Sequence, residues 1–236
     1  METIIEVKDA KKIYKVGNER VIALDGVSFT IDKGDFCCLL GSSGSGKSTL
    51  LNIMAGIEKI TSGEVLIKGK NITKMGEHQL AKFRQKYLGF VFQSYNLINS
   101  MNAIENVELP MIFKEISKKV RIKKSKEMLK KVGLEARMKH KPTQMSGGQQ
   151  QRVGIARAFV ANPEVVFADE PTGNLDSKTS SEIMNIIKQM AKEHNQTIVM
   201  VTHDINIAKY ANKIINIHDG KIVSIEQGEN KNEENI

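Results

Sequence analysis

Residues 41–48, GSSGSGKS, have the types and the spacing of a phosphate-binding loop, the pattern G-x-x-x-x-G-K-[ST]. The glycines let the backbone turn tightly and direct its N–H groups toward phosphate oxygens. We expect Lys47 to reach the outer phosphates and the Ser48 hydroxyl to ligate Mg²⁺. The predicted chemistry is nucleotide binding. The predicted nucleotide contacts in this segment are Gly41, Ser42, Ser43, Gly44, Ser45, Gly46, Lys47, Ser48 and Thr49.

The residues on either side of this loop support the same interpretation. Residues 36–40, FCCLL, form a short apolar run that predicts a buried strand, and residues 49–54 continue as a helix. The start of that helix would add its positive dipole end to the phosphate cradle. A Gly/Ser-rich surface loop that matches by chance is the alternative, and the strand before and helix after disfavour it.

Two further apolar strands end in residues that can do chemistry. Residues 165–170, VVFADE, end in two carboxylates, and residues 197–202 are followed by His203. Sites in a parallel α/β sheet form at the carboxyl ends of the strands, so we expect these groups and the phosphate loop to converge on one nucleotide. Asp169 would hold Mg²⁺ through water, Glu170 would be the general base, and His203 would contact the γ-phosphate. Alone, each group has a plainer explanation, as an acidic turn or a core histidine.

Composition and length set limits on the class of protein. The chain has 236 residues, of which 40% are hydrophobic and 26% charged, as expected of one large or two small globular α/β domains. We find no leader peptide and no run of about twenty apolar residues, which predicts a cytoplasmic protein or one peripheral on the cytoplasmic face of the membrane. Cys37 and Cys38 are too few for a disulfide framework and are predicted to fill the core.

The net charge of +8 is concentrated in one segment, residues 118–131. Val120, Lys124, Met128 and Val132 recur there at helical spacing, which predicts a solvated helix with a narrow apolar stripe. A nucleic-acid groove is the alternative, and it is less favoured because no aromatic residues interleave the lysines. The basic residues concerned are Lys118, Lys119, Arg121, Lys123, Lys124, Lys126, Lys130 and Lys131.

The remaining pattern predicts the elements that must position these groups. A strand at 4–8 and a β region at 20–31, with a turn at Asp25-Gly26, precede the phosphate loop. Residues 94–113 are predicted as loop and short helix, closed by Pro110, and Ser177 is the predicted cap of a later helix. Further predicted elements are strands at 64–67 and 88–93, helices at 77–86 and up to 161, and a hairpin at Asp219-Gly220.

The order of motifs resembles the nucleotide-binding subunits of ABC transporters along nearly the full length. A phosphate loop alone leaves many NTPase families open, but here it is followed by SGGQQ at 146–150, then ADE at 168–170, then a strand that ends in histidine. The resemblance implies an α/β P-loop NTPase fold, with a RecA-like core, an N-terminal antiparallel β region and an inserted α-helical subdomain at about 94–162. It implies one domain over 1–226, before a tail at 227–236 predicted to be disordered.

The resemblance also implies roles for single residues. Tyr14 would stack on the adenine, a use of an aromatic ring that its place upstream of the phosphate loop also suggests. Gln93 would sense Mg²⁺ and the attacking water and would link the site to the membrane partner. Residues 174–176, NLD, would cross to a second subunit through Asp176. The segment that would contact the γ-phosphate held by that subunit is Ser146, Gly147, Gly148 and Gln149.

Two partners follow from the resemblance. Two copies of the chain would meet head to tail with two ATP molecules between them, and a separate integral membrane permease would dock on residues 94–113. A narrower resemblance, carried by ADEPTGNLD, GFVFQ and ENVELP, is to the subgroup that serves lipoprotein release, macrolide export and antimicrobial-peptide export or resistance. Residues 99–101, NSM, depart from the proline-containing segment that the subgroup carries there, which leaves the identity of the permease open.

Two other functions are weighed against transport. A soluble ABC-type ATPase that acts on DNA or ribosomes is the alternative, but the short segment between Gln93 and Ser146 has no room for a long coiled coil, and the chain has only one cassette. An ATP-binding regulator without turnover is the other, and the presence of both Glu170 and His203 disfavours it. No nucleic-acid partner is predicted.

Overall fold

The structure is a computed structural model that describes residues 2–228 and separates into two compact units. The first unit contains the chain up to Thr73 and again from Val199 onward, and the second is Lys74–Ile198. Strand β10 extends to Gln227, and the N–H of Gly228 donates to the Asn212 carbonyl, so the ordered chain passes the predicted boundary. The rest of the predicted disordered tail, 229–236, lies outside the described residues.

An antiparallel four-stranded sheet forms the N-terminal part of the first unit, in the order β2-β1-β4-β5. Its strands are β1 (Thr3–Val16), β2 (Glu19–Asp32), β4 (Ser62–Ile67) and β5 (Lys70–Asn71). The predicted turn at Asp25-Gly26 is wrong, because β2 runs through it without interruption. The chain reverses instead at Gly17 and Asn18, where the φ of Gly17 is 61°. The register between β1 and β2 shifts at several points, which indicates local bulges in a continuous pair of strands.

The remaining elements of the first unit carry the phosphate loop and His203. They are β3 (Phe36–Leu40), α1 (Lys47–Met54), β8 (Thr197–Thr202, which begins in the second unit), α7 (Ile205–Ala208), β9 (Lys213–His218) and β10 (Lys221–Gln227). Strand β3 lies between β8 and β9, and its pairing with β9 is parallel. The predicted hairpin at Asp219-Gly220 is confirmed as the turn between β9 and β10. Both thiols, Cys37 and Cys38, are fully buried, as predicted.

The second unit packs helices around two parallel strands, β6 and β7. Its elements are α2 (Glu77–Tyr87), β6 (Leu88–Val91), α3 (Ala103–Phe113), α4 (Lys118–Lys131), α5 (Gly147–Phe159), β7 (Val165–Asp169) and α6 (Ser177–His194). Short 3-10 turns lie at Ile72–Lys74, where the chain enters this unit, and at Glu135–Arg137 and Pro142–Gln144 within the unit. Phe90 and Phe167 stack between the strands with their ring centroids 5.8 Å apart.

Two predictions about these helices are wrong for reasons of packing. Pro110 does not close α3 but lies inside it, because the buried side chains of Val107 and Met111 keep the last turn packed despite one lost hydrogen bond. On α4 the buried face is centred on Ser125 and Leu129, and Val132 after the helix is buried as predicted, whereas Val120 is 43% exposed. The predicted apolar stripe is therefore right at Val132 and wrong at the start of the helix.

Candidate nucleotide site

Backbone crowding explains why glycine occupies two positions of the phosphate loop. A Cβ at Gly41 would collide with the carbonyl oxygen of Ile217, and one at Gly46 would collide with that of Ala23. Gly46 also has a φ of 97° and is the N-cap of α1, a left-handed conformation that favours glycine. The loop therefore packs against two backbone segments of the first unit and leads directly into α1.

The ammonium group of Lys47 lies inside this loop. The Lys47 side chain is only 5% exposed, and its Nζ donates to the carbonyl oxygen of Ser42 at 2.6 Å and contacts the Ser45 hydroxyl at 3.5 Å. Burial raises the pKa of the neighbouring Cys38 thiol to about 12, although the charge of Lys47 acts in the opposite direction. The loop thus surrounds a fixed positive charge and lies against an uncharged thiol.

Tyr14 lies beside the helix that follows the loop. Its hydroxyl is 3.4 Å from the hydroxyl of Thr49, and Lys12 Nζ is 4.8 Å from its ring centroid. Burial, together with a hydrogen bond to Glu58, raises the pKa of the phenol, so the hydroxyl stays neutral. Because Lys12 occupies one face of the half-buried ring, only the other face is available for stacking.

His203 follows β8, the neighbour of the strand that leads into the phosphate loop. Its side chain is exposed, and the next residue, Asp204, caps the short helix α7 by accepting from the N–H of Asn206 at 2.7 Å. The first unit therefore places His203 and the phosphate loop after adjacent strands.

In the second unit, β7 ends at Asp169, and Glu170 follows in a left-handed conformation with φ 40°. This conformation is uncommon for a residue with a side chain and is found often at functional sites. A Cβ added to Gly173 would lie 2.8 Å from Gln93 Nε2 and 3.1 Å from Glu170 Oε2. The amide of Gln93 and the carboxylate of Glu170 therefore share one small space, which a glycine leaves open.

The segment that begins with Ser146 opens helix α5 with a capping box. The Ser146 hydroxyl accepts from the N–H of Gln149 at 3.3 Å, and the Gln149 side chain accepts from the N–H of Ser146 at 3.1 Å. The N–H groups of Gly147 and Gly148, in the first turn, have no partner within the helix. They point out of the positive end of the helix dipole, which suits a bound anion.

An open cleft of about 620 Å³ in the second unit collects this helix start and the segment around Asp176. Its lining includes Ser146, Gly147, Gly148, Gln149, Asn174 and Asp176. Asp176, not the predicted Ser177, caps α6, because its carboxylate reaches the N–H of Thr179 at 2.9 Å and the Thr179 hydroxyl at 2.7 Å. The hydrogen bond from that hydroxyl is the main reason why the pKa of Asp176 is lowered.

Sequence reasoning did not single out the contacts that connect these segments. The Tyr95 hydroxyl lies against Gly147, 2.7 Å from where a Cβ would be, and the guanidinium of Arg157 donates to the carbonyls of Tyr95 and Asn96. The side-chain amide of Gln151 donates to the Pro171 carbonyl in the buried interior. An aromatic residue two positions after Gln93 was a visible signal, but nothing local marks Arg157 or Gln151.

The predicted site residues thus form two groups. The first unit holds Tyr14, the phosphate loop with Thr49, and His203, and the second holds Gln93, Asp169, Glu170, the 146–149 segment and Asp176. Their convergence on one nucleotide stays a prediction.

Comparison with known proteins identifies the family. The family profile described as ABC transporter matches residues 24–173, from the middle of β2 to the glycine beside Glu170. The chain therefore belongs to the ABC transporter family, as one of its ATP-binding, ATP-hydrolysing cassettes. The predicted fold class is confirmed, with its antiparallel N-terminal sheet and helical insertion.

Three relatives illustrate this membership. An uncharacterized ABC transporter ATP-binding protein of Methanocaldococcus jannaschii is 50% identical, over 94% of this chain and 99% of its own length. The macrolide export ATP-binding/permease protein MacB of Hyphomonas neptunium is 45% identical, over 94% of this chain but 34% of its own length. A dimeric post-hydrolysis structure of the ATP-binding cassette MJ0796, bound to ADP and Pi, is 45% identical, with a TM-score of 0.89 over 95% of this chain and 98% of that one.

Proposed function

We propose that this cassette dimerises on ATP and drives a separate membrane permease, from the cytoplasmic face of the membrane, for the export of or resistance to peptides, macrolides or lipoproteins. The observation that carries the proposal is the presence of two separate sets of phosphate donors in one chain. One is the loop around Lys47 in the first unit, and the other is the helix start at Ser146, which lines an open cleft in the second unit.

A second donor set on an open surface favours a site completed by another copy of the chain. The start of α5 offers the Ser146 hydroxyl and the N–H groups of Gly147 and Gly148 to an anion from outside. The terminal phosphate of an ATP molecule bound at the phosphate loop of the partner has the matching acceptors. Two such sites, related by a two-fold axis, would bury both ATP molecules between two copies.

Within each site, the chain supplies the groups that hydrolysis needs. Glu170 is the proposed general base for the attacking water, and Gln93, in the same small space, would position that water. Lys47 would stabilise the charge that develops on the phosphate oxygens, and His203 would contact the γ-phosphate. Loss of the γ-phosphate removes the acceptors on which the partner's donors act, so hydrolysis would release the dimer.

The side chains also fit a magnesium ion. Ser48, Asp169 and Gln93 offer only oxygen ligands, the type that Mg²⁺ prefers, and one carboxylate suffices when substrate phosphates complete the coordination. Residues 2–228 contain no cluster of three or more His, Cys, Asp or Glu side chains that would hold a metal by themselves. When bound, the ion would neutralise phosphate charge and hold the β- and γ-phosphates in place.

The permease is proposed to dock on residues 94–113. Ile98 is 41% exposed and Asn99 is exposed, next to the loop that carries Gln93. None of the helices in the described part of the chain has the length and apolarity needed to cross a bilayer. The MacB relative, whose name combines ATP-binding and permease functions, supports a permease partner. The same name supports the inclusion of macrolides among the proposed substrates. The relatives reported above give no support to the alternative of a DNA- or ribosome-acting ATPase.

Light scattering of the Glu170→Gln variant, with and without ATP, tests the dimer. This change removes the base but keeps the side-chain volume, so ATP should bind, persist and hold a dimer, while hydrolysis falls to background. Adding Ser146→Arg should abolish the dimer and leave ATP affinity unchanged, because Ser146 lies outside the phosphate loop of its own chain.

Lys47→Ala, which should lose ATP binding, serves as the control for nucleotide dependence. A Glu170→Gln protein that stays monomeric at saturating ATP would contradict ATP-driven dimerisation. Wild-type turnover in the same variant would exclude Glu170 as the base.

A further inference from the structure

The segment around α4 holds the whole of the chain's excess positive charge. Residues 114–141 contain twelve basic and three acidic residues, a net charge of +9, whereas the whole chain has +8. The rest of the protein is therefore almost neutral. Electrostatic attraction to a partner would act through this one segment.

Several of these charges have no counter-charge among residues 2–228. Among the described residues, no carboxylate forms an ion pair with the exposed side chains of Lys118, Lys119, Lys124 or Lys126. Other basic residues of α4 do have partners, as in the pairs Arg121–Glu108 at 2.7 Å, Lys131–Glu193 at 2.6 Å and, on the exposed face, Lys123–Glu127 at 4.0 Å. The solvent face of α4 thus keeps four lysines that no carboxylate in the described part of the chain pairs with.

Apolar side chains project into solvent beside these cations. Phe113, the last residue of α3, is 63% exposed, Ile112 before it is 42% exposed, and Val120 in the first turn of α4 is 43% exposed. The connection that carries them is held firmly, because the Arg121 guanidinium bonds the carboxylate of Glu108 at 2.7 Å and the carbonyl of Ile116 at 3.1 Å. We call residues 112–126 the α3–α4 corner, whose first two residues are also the last two of the segment proposed to dock the permease.

We propose that the α3–α4 corner binds the surface of an anionic phospholipid bilayer. The lysines would contact the headgroup phosphates, and Phe113 would enter the interfacial layer, which suits exposed aromatic and aliphatic side chains beside lysines. A nucleic-acid duplex offers phosphates but no apolar layer for Phe113, Ile112 and Val120. This contact needs no permease, and it would align the cassette with the membrane through the protein's own residues.

The test is cosedimentation of the full chain with vesicles of mixed phosphatidylglycerol and phosphatidylcholine, compared with vesicles of phosphatidylcholine alone. We expect binding to the anionic vesicles only, and weaker binding as salt is added. Each lysine near an anionic surface contributes about fivefold in affinity, so the triple variant Lys118→Gln, Lys119→Gln, Lys124→Gln should bind about a hundredfold more weakly.

The matched control removes the same charge from exposed lysines elsewhere, Lys82→Gln, Lys188→Gln and Lys192→Gln, and should keep its vesicle binding. Phe113→Ser should weaken binding without changing the steepness of its salt dependence, since it removes no charge. ATP hydrolysis in solution should be unchanged in the α4 triple variant, which shows that its fold is intact.

The proposal is overturned by any of three results: no binding to anionic vesicles, equal losses in the α4 and control variants, or tighter binding to duplex DNA than to the vesicles. Each can occur while the ATP-dependent dimer still forms and a permease still docks at Ile98. A failure of lipid binding is therefore distinguishable from a failure of the proposed transport function.

Discussion

At the scale of single residues, Gly173 shows how the absence of a side chain can leave room for two others. A Cβ on Gly173 would lie 2.8 Å from Gln93 Nε2 and 3.1 Å from Glu170 Oε2, closer than ordinary van der Waals contact. The backbone of Glu170 already has a left-handed φ of 40°, so a further backbone shift there would be costly. The arrangement of Glu170, the proposed base, and the Gln93 amide therefore depends on glycine at position 173.

We expect Gly173→Ala to lower kcat for ATP hydrolysis by about tenfold to a hundredfold, because a misplacement of about 1 Å can have that effect. The KM for ATP should change little, since the phosphate loop lies in the other unit. Steady-state kinetics measure both. Gly76→Ala is the control, because a Cβ there meets nothing within 4 Å. Equal kcat values for the two variants would contradict the crowding that we describe.

Tyr14 is expected to hold the adenine mainly by its one open ring face. Tyr14→Ala should weaken ATP binding by about 1–3 kcal/mol, the range for bases stacked on aromatic rings. Because a ring face tolerates any base, GTP should compete measurably with ATP. Fluorescent-nucleotide titration checks both expectations. Unchanged affinity in the variant would mean that Tyr14 only packs against Thr49.

At the scale of elements, helix α5 connects the parts of the second unit that are proposed to act on ATP. Its first turn lies under the Tyr95 hydroxyl, its middle reaches the Pro171 carbonyl through Gln151, and its end holds the carbonyls of Tyr95 and Asn96 through Arg157. Tyr95 and Asn96, which follow Gln93, thus contact both the first turn and the last turns of α5. A movement of that loop would be transmitted to the donors at Gly147.

We expect Tyr95→Phe, which removes only the hydroxyl that contacts Gly147, to leave ATP affinity unchanged. The ATP-driven dimer of the Glu170→Gln protein should weaken about fivefold, the effect of losing roughly 1 kcal/mol, because the first turn of α5 loses the oxygen that packs against it. Sedimentation velocity at increasing ATP concentration gives the two quantities separately. Tyr210→Phe, in the other unit, is the control, and equal dimerisation of both variants would contradict a role for the Tyr95 hydroxyl.

Local chemistry explains which elements could be predicted from the sequence. The phosphate loop and the hairpin at Asp219-Gly220 depend on residues within a few positions of each other, and both are found as predicted. The position of Pro110 and the buried face of α4 depend on what packs against these helices. Packing therefore keeps Pro110 inside α3 despite the low helix propensity of proline, and it turns a partly different side of α4 toward the core from the one that the sequence pattern predicts. The contact between Tyr95 and Gly147 joins distant parts of the chain and leaves no local pattern.

At the scale of the whole molecule, the permease surface can be tested in the cell. Single cysteines at Tyr95, Asn99 and Met101, with Cys37 and Cys38 replaced, should crosslink in native membranes to an integral membrane protein, because these positions surround the exposed Ile98. A single cysteine at the exposed Lys188 should not crosslink to that protein. Exclusive crosslinks to nucleic-acid-binding or ribosomal proteins would contradict the transport function and favour the soluble alternative.

The capping box at Ser146 has a consequence for the cost of binding an anion. The Ser146 oxygen accepts from the N–H of Gln149 while the Gln149 side chain accepts from the N–H of Ser146, so both side chains are held before any phosphate arrives. The N–H groups of Gly147 and Gly148 belong to the same helix start, and the helix backbone fixes their direction. A phosphate that reached this surface would therefore meet donors that are already in place, and little conformational entropy would be lost when it bound.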